Sequence, residues 1–199
     1  MLEELRNFLA KHPGAFTIVR KIIELNFKKQ KEIIQATLGE KKNLKVLDIG
    51  CGTGEFYECF QSQTYVGIDI SPKYIQYAKK IKKGDFRVMD ATKLDFPDLT
   101  FDFVLVMAML HHLSDEHFLQ VIKEIRRVLK NDGALLIMED AKIEELENRF
   151  VRLVQKFDKG DFIRKPNEYK KIILQYFYCV KENSFRNGGC IYYSMILKK

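Results

Sequence analysis

The sequence predicts a doubly wound α/β fold, in which helices cover both faces of a mostly parallel sheet. Between residues 46 and 140, short apolar runs alternate with segments of helical spacing. The run at residues 101–107 is apolar at almost every position, as expected for a central parallel strand buried on both faces. Near the end of the chain, an Asn-Gly step at 187–188 joins two β-rich runs. Such a step predicts a hairpin, so we expect parallel strands with right-handed crossovers, closed by an antiparallel pair.

The first 43 residues predict a helical cap. Apolar residues recur every three or four positions over residues 2–10 and about 15–38, and the sequence HPG at 12–14 separates the two helices. Gly39 is placed to end the second helix, because glycine adopts the left-handed conformation that follows many helices.

Strands and helices then alternate along the chain. The predicted strands are the runs 46–49, 64–70, 86–89, 101–107 and 134–138. The predicted helices between them cover residues 55–61, the segment from Pro72 to Ile81, and a segment that Ser114 caps and the sequence NDG at 131–133 ends. Beyond residue 140 we expect helices over 142–157 and 167–175, then a hairpin of 177–185 with 190–197.

The composition predicts a single domain over residues 1–199, with a cofactor-binding core at 44–140. The chain is 46% hydrophobic and 31% charged, which is typical of a folded globular protein and unlike a disordered one. The longest apolar run, residues 103–110, is far shorter than the ~20 residues of a membrane span. The first residues do not resemble a secretory signal, so we expect a cytoplasmic protein. The four cysteines have no metal-ligand spacing, and we expect reduced thiols and no metal site.

Charge is unevenly distributed along the chain. Residues 1–45 carry 10 Lys/Arg against 5 Asp/Glu, residues 46–140 carry 11 against 15, and residues 141–199 carry 13 against 7. Basic flanks attract anionic partners such as nucleic acid or a membrane surface. The favoured interpretation is solvated helix faces, because aromatic residues are not interleaved with the basic runs as nucleic-acid stacking requires.

The motif DIGCGTG at residues 48–54 is the most informative segment. It follows a predicted strand, and its glycines allow a tight turn and close approach of a ligand to the backbone. Asp69, at the end of the next strand, is placed to bind the two hydroxyls of a ribose. A dinucleotide site requires a small residue where Glu55 stands, and Glu55 and Asp48 would both repel a diphosphate. The carboxylates therefore favour a cationic ligand, a sulfonium with an amino group.

At this point the sequence resembles the class I, Rossmann-like S-adenosylmethionine-dependent methyltransferases. The segments that carry the resemblance occur in the family's order and spacing over about residues 44–140: VLDIGCGTG at 46–54, GIDIS at 67–71, MDA at 89–91, FDFV at 101–104, LHHL at 110–113, RRVLK at 126–130 and GALLI at 133–137. The resemblance implies a seven-stranded sheet of order 3-2-1-4-5-7-6 with the last strand antiparallel. It also implies S-adenosyl-L-methionine as cofactor and S-adenosyl-L-homocysteine as product.

The resemblance also implies roles for particular residues. Asp48 and the loop backbone at Gly50, Cys51, Gly52 and Gly54 would hold the methionine part of the cofactor. Asp69 would bind the ribose, and the adenine would contact three further residues, Ile70, Asp90 and Ala91. Met107 and Ala108, after the fourth strand, would border the sulfonium.

The sequence indicates less about the methyl acceptor than about the cofactor. The [DN]PPY turn of base-amino methyltransferases is absent at residues 107–110, and the LHHL segment resembles the subgroup that acts on small molecules. His111 and His112 are candidate general bases, although helix-entry packing is the favoured interpretation of both. Five further residues are candidates for the acceptor pocket, with core packing favoured for each: Phe16, Arg20, Phe150, Phe157 and Phe162. The alternatives are an RNA or protein methyltransferase that uses the basic flanks, a non-catalytic module that binds the cofactor, and a nicotinamide oxidoreductase, which Glu55 and Asp48 disfavour.

Overall fold

The computed structural model describes residues 4, 8–9, 11–149, 151, 154 and 162–199. Most of the helix predicted over 2–10 and most of the segment from 150 to 161 lie outside the described residues, as do the pocket candidates Phe150 and Phe157. Of the helix over 2–10, the three described residues, Glu4, Phe8 and Leu9, are helical. Of the helix predicted over 142–157, the described part holds a 3-10 turn, Glu144–Leu146, followed by three residues in α-helical conformation, Arg149, Val151 and Val154.

Seven strands form one sheet of order β3-β2-β1-β4-β5-β7-β6, which confirms the predicted fold. Strands β1 to β5 are parallel, and β7 pairs antiparallel with both β5 and β6. The strands are β1 (Lys45–Ile49), β2 (Thr64–Asp69), β3 (Asp85–Val88), β4 (Phe101–Met107), β5 (Leu129–Asp140), β6 (Tyr178–Asn187) and β7 (Cys190–Lys198). The chain order reverses between β1 and β4, where open α/β sheets bind ligands.

Five described α-helices surround this sheet: α1 (Pro13–Ile23), α2 (Lys28–Leu38), α3 (Pro72–Ile81), α4 (Asp115–Val128) and α5 (Pro166–Ile173). Two apolar clusters form the core. One lies mainly among α4, α5 and the sheet, and includes Phe118 and Ile173. The other includes Ile34 of α2 and Ile75 of α3, packed against residues such as Phe103 of β4. Within the described residues, no helix is long and apolar enough to span a bilayer.

The predicted helix over about 15–38 is broken into two. Leu25, Asn26 and Phe27 all have positive φ, at 48°, 54° and 57°, between α1 and α2. The hairpin turn stabilises this kink: the amide nitrogen of Gly189 donates to the carbonyl of Ile23 at 3.0 Å, and the Asn187 side chain donates to the carbonyl of Glu24 at 2.6 Å. Tertiary hydrogen bonds thus override the helical spacing of the sequence. The predicted end of α2 at Gly39 is correct, with φ of 59°.

The helix predicted at 55–61 is wrong, because the chain forms only a 3-10 turn there, Tyr57–Phe60. After the glycine loop, nine residues must carry the chain back along the sheet to the start of β2. A 3-10 turn rises about 2.0 Å per residue against about 1.5 Å in an α-helix, so it covers the distance with fewer residues. Phe60 anchors the turn through ring contacts with Tyr65 and Phe103.

The sequence NDG at 131–133 does not end α4 as predicted. The helix ends at Val128 and β5 begins at once, and NDG lies inside a bulge of that strand. Phe101 pairs with Leu129 and Phe103 with Ala134, so five steps on β5 oppose two on β4. The predicted strand at 101–107 and the predicted helix at 72–81 match the structure at both ends, and the remaining bounds agree within a few residues.

Candidate functional site

The glycine loop turns sharply at the carboxyl end of β1. Gly50, Gly52 and Gly54 have φ of 72°, 54° and 77°, a conformation that only glycine adopts without strain. The amide nitrogens of Gly50 and Cys51 both donate to the carbonyl of Ile68, which fixes the loop to the end of β2. A methyl group added at Gly52 would meet nothing within 4 Å, so this part of the loop faces open space. The loop thus presents bare backbone to a ligand.

Asp48 is buried beneath this loop. Its Oδ2 accepts a hydrogen bond from the Tyr65 hydroxyl at 2.8 Å. Burial raises the pKa of Asp48 to about 7, the Tyr65 hydrogen bond works against that rise, and the nearby Asp69 adds to it. A buried carboxyl at this pKa favours a cation as its neighbour, because a positive charge would stabilise its ionised form.

Asp69 joins the loop to the start of α3. Its Oδ2 accepts from the amide nitrogen of Gly52 at 2.9 Å, and its Oδ1 accepts from that of Ser71 at 2.8 Å. Burial raises the pKa of Asp69, and these two backbone hydrogen bonds offset part of the rise. Each carboxylate oxygen can accept more than one hydrogen bond, so Asp69 keeps acceptor capacity for hydroxyl groups.

A cleft of about 420 Å³, including the space open to solvent, lies beside Asp48, and Asp69 is not among its lining residues. Its core wall consists of Asp48, Gly50 to Thr53, Glu55, Phe56 and Met107, and its cap wall of Phe16, Thr17 and Arg20 from α1 with Tyr74 from α3. The rings of Phe16 and Tyr74 stack with centroids 5.8 Å apart. The structure therefore brings Phe16 and Arg20 into the cleft that contains Asp48, whereas Phe162 is exposed and outside it.

A chain of polar contacts attaches the cap to the glycine loop. The hydroxyls of Thr17 and Thr53 lie 2.6 Å apart, and Thr53 also donates to Oε1 of Glu55 at 2.9 Å. Lys21 reaches Oε2 of the same carboxylate at 3.4 Å. Glu55, the large residue where a dinucleotide site needs a small one, is thus buried and paired with a cation of the cap.

The turn after β4 forms the far side of the loop. Ala108 has φ of 48°, and a methyl group added at Gly50 would lie 2.6 Å from Cγ of Met109, so the turn packs directly against the glycine loop. The buried carboxylate of Glu139, near the end of β5, accepts from the amide nitrogens of Met109 and Leu110 at 2.9 Å each and from that of His111 at 3.3 Å. One side chain thereby fixes three successive amides of this turn. Sequence analysis missed Glu139, because only the pairing of β4 with β5 brings it to the turn.

His111 and His112 lie beside the turn and do not line the described cleft. His111 is buried, and its Nδ1 lies 2.9 Å from Oε2 of Glu139. His112 is exposed, and its ring lies 4.1 Å from that of His111. These contacts fit the favoured interpretation of helix-entry packing more closely than that of a general base.

Comparison with known proteins agrees with this geometry. The profile of a methyltransferase domain matches residues 47–137. Demethylmenaquinone methyltransferase of Thermotoga maritima is 35% identical over 120 residues, which are 58% of this chain and 51% of that protein. Ubiquinone biosynthesis O-methyltransferase of Pelagibacter ubique is 40% identical over 103 residues, 48% of this chain and 42% of that protein. This chain thus spans about half the length of these relatives.

A solved structure shares the whole arrangement. The PH0226 protein from Pyrococcus horikoshii OT3 superposes with a TM-score of 0.71 and 25% identity, over 86% of this chain and 90% of that one. Residues 47–137 therefore form a methyltransferase domain, and the sheet order is that of the class I S-adenosylmethionine-dependent methyltransferases. The domain match indicates S-adenosylmethionine as the cofactor.

The residues present in this methyltransferase fit such a cofactor. The open space beside Gly52 leaves room for a ligand against the backbone, and Asp48 and Asp69 match a ligand with a cationic end and two hydroxyls. Arg20 of the cap also lines the cleft, and the buried Glu24 balances its charge at 2.7 Å.

The predicted adenine contacts lie at the ends of β2 and β3. Ile70 is among the most exposed apolar side chains and is available to an aromatic ring. Asp90 is exposed, and its Oδ1 accepts from the amide nitrogen and the hydroxyl of Thr92, both at 2.8 Å. These hydrogen bonds hold the pKa of Asp90 below its usual value, which keeps it an acceptor. Ala91 is half-buried next to it.

Arg164 joins the segment before α5 to the turn after β4. Its guanidinium is buried, donates to the carbonyls of Leu110 and Leu113, and pairs with Asp115 at 2.7 Å. The amide nitrogen of Phe162 also donates to the carbonyl of His111 at 3.0 Å. Sequence analysis missed Arg164, since a lone arginine in an irregular segment gives no signal.

Proposed function

We propose that this chain transfers the methyl group of S-adenosylmethionine to a nucleophilic atom of a small-molecule acceptor. The observation that carries the proposal is the set of three glycines with positive φ beside two carboxylates, Asp48 and Asp69, at the carboxyl ends of β1 and β2. S-adenosylmethionine supplies an activated methyl group when bound, so the chain's own part is to bind, orient and exclude water.

We propose that Asp48 and the loop backbone at Gly50, Cys51, Gly52 and Gly54 hold the methionine end, with Met107 and Ala108 at the sulfonium. Asp69 would accept from the ribose hydroxyls, and Ile70, Asp90 and Ala91 would contact the adenine. Arg20 of the cap would face the same cleft as an anion partner. No general base is assigned, since neither His111 nor His112 lines the cleft.

The small-molecule assignment has two supports. Both named relatives above act, by their names, in quinone biosynthesis or on a menaquinone precursor. The apolar and aromatic side chains of the cleft, Phe16, Phe56, Tyr74 and Met107, also suit a planar organic acceptor. The competing proposal is an RNA acceptor held by the basic flanks. The excess of Lys and Arg over Asp and Glu in residues 1–45 and 141–199 is the observation that supports it.

Thermal unfolding with three ligands tests the cofactor. S-adenosylmethionine and S-adenosylhomocysteine should each stabilise the protein by about 2.7 kcal/mol at 100-fold excess over their dissociation constants, and NAD should not. Asp69→Ala should lose this shift, and Asp132→Ala, an exposed aspartate far from the cleft, should keep it. A shift with NAD alone, or an unchanged shift in Asp69→Ala, would contradict the proposal.

The acceptor is tested by mass detection of the product after incubation of a metabolite extract with labelled cofactor. Label in a small metabolite supports the proposal. Label in RNA, with nucleic-acid affinity that falls steeply as salt rises, would replace it with the competing one.

A further inference from the structure

Helix α1 has two unlike faces. Its inner face contributes Phe16, Thr17 and Arg20 to the cleft. Its outer face carries an apolar row at helical spacing, which continues into the kink: Ile18, Ile22 and Leu25 are 60%, 71% and 61% exposed. Ile18 and Ile22 lie one helical turn apart on α1, and Leu25 follows in the kink. Large aliphatic side chains exposed close together favour an interaction surface.

The charges around this row are of one sign. Between residues 11 and 31 the chain has six basic residues, of which Arg20 lines the cleft and Lys21 pairs with Glu55: Lys11, Arg20, Lys21, Lys28, Lys29 and Lys31. The one acidic residue in that segment, Glu24, is buried and paired with Arg20. Lys11, Lys28 and Lys29 are exposed at the two ends of this segment, and Lys29 also donates to the carbonyl of Arg186 at 3.0 Å. A partner of this face therefore meets an apolar stripe with a cationic rim and no exposed carboxylate from the same segment.

We propose that the outer face of α1, with the kink that follows it, docks onto an anionic lipid surface. An amphipathic helix with aliphatic residues on one side and lysines at its borders inserts its apolar stripe at the level of the headgroups, and the lysines pair with anionic lipids. An RNA partner would use the lysines and leave the three aliphatic side chains in water, so the apolar row favours a lipid. This docking would place the cleft, on the other face of the same helix, next to the bilayer.

Vesicle co-sedimentation of the whole chain tests this surface without any enzymatic assay. The protein should bind vesicles of mixed phosphatidylcholine and phosphatidylglycerol, bind phosphatidylcholine alone much more weakly, and lose binding as salt rises. The double variant Ile18→Gln/Ile22→Gln should bind the anionic vesicles at least about tenfold more weakly. Val180→Gln is the matched control, since Val180 is an aliphatic residue of β6 with 58% exposure, and should bind as the unmodified protein does.

Three outcomes would overturn the proposal. The first is that the unmodified protein does not bind anionic vesicles, and the second is that the double variant binds them equally well. The third is that the unmodified protein binds no vesicles and forms a dimer, whereas the double variant is a monomer. The shift in unfolding temperature with S-adenosylhomocysteine shows that the variant is folded. A protein that binds vesicles and shows no such shift would contradict the proposed function and leave the docking surface standing.

Discussion

The Asp48 carboxyl is buried against Tyr65 and carries a raised pKa of about 7. A cation bound next to it favours the ionised form, so binding releases a proton from the carboxyl. Affinity for S-adenosylhomocysteine should therefore rise with pH, by up to about tenfold per unit below pH ~7, and level off above it. Titration calorimetry at several pH values measures this slope. Asp48→Asn should give a flatter profile, and an equally steep one would show that another group titrates.

The raised pKa of Asp48 makes the free energy of unfolding of the ligand-free protein fall as pH rises, whereas affinity for the ligand increases. A carboxyl whose pKa is raised by folding contributes its stability fully below its unfolded pKa of about 4, and loses it as pH rises through about 7. Asp48→Asn should thus be more stable relative to the unmodified protein at pH 8 than at pH 5. Urea unfolding at both values checks the sign. A larger gain at pH 5 would contradict the burial of an ionisable Asp48.

Glu139 does not line the cleft, and it influences the site through the backbone of the turn after β4. It is buried and accepts hydrogen bonds from three amides of the turn after β4 and from His111. Glu139→Gln replaces an acceptor oxygen by a donor facing donors, so the free energy of unfolding should fall by about 3–5 kcal/mol. Glu116→Gln, an exposed glutamate in the first turn of α4, should cost no more than about 1 kcal/mol. Urea unfolding of the two variants tests this, and equal losses would show that Glu139 does not organise the turn.

At the level of elements, the cap depends on a clamp between the α1–α2 kink and the hairpin turn. Gly188 and Gly39 both have positive φ, at 60° and 59°. A methyl group at Gly188 would lie 1.9 Å from the carbonyl oxygen of Ile23, whereas one at Gly39 would meet nothing within 4 Å. Gly39→Ala should therefore cost about 1 kcal/mol from backbone strain alone, and Gly188→Ala clearly more. Urea unfolding gives both values.

The clamp also connects stability to the cleft. Helix α1 contributes Phe16, Thr17 and Arg20 to the cleft, and its last residue, Ile23, is held by the clamp. Gly188→Ala should therefore weaken binding of S-adenosylhomocysteine, and Gly39→Ala should leave it unchanged. If both variants bind alike, the cap wall does not depend on the hairpin turn.

These same elements separate what sequence can predict from what it cannot. Buried apolar runs and the glycine loop predicted five parallel strands, because burial on two faces leaves a continuous apolar signature. The kink at 25–27 was not predictable, since three non-glycine residues with positive φ are stabilised by contacts with residues 187–189, more than 150 positions away. Glu139 and Arg164 were missed for the same reason, because each acts on a segment brought to it only by the fold.

At the scale of the whole molecule, the cleft is shared between two consecutive parts of the chain, the cap and the acidic core. A ligand that contacts both couples them, since it binds only when the two walls are together. Among the described residues, the contacts between the parts at the cleft include the Thr17–Thr53 hydroxyl pair, the Lys21–Glu55 ion pair and two ring contacts, Phe16 with Tyr74 and Phe27 with Phe56. We therefore expect α1 to open locally at lower free energy than α4, whose apolar face is buried in the core.

Hydrogen exchange with and without S-adenosylhomocysteine tests this coupling. The ligand should slow exchange in α1 and in the loop at residues 50–54, because local opening of the cap would have to release the ligand first. Exchange in α4 should change little, since its apolar face packs in the cluster that does not include the cleft residues of the cap. In Gly188→Ala the ligand-induced slowing in α1 should be smaller than in the unmodified protein. Equal slowing in α1 and α4 would mean that the ligand stabilises the domain as one unit, and that the cap has no separate opening.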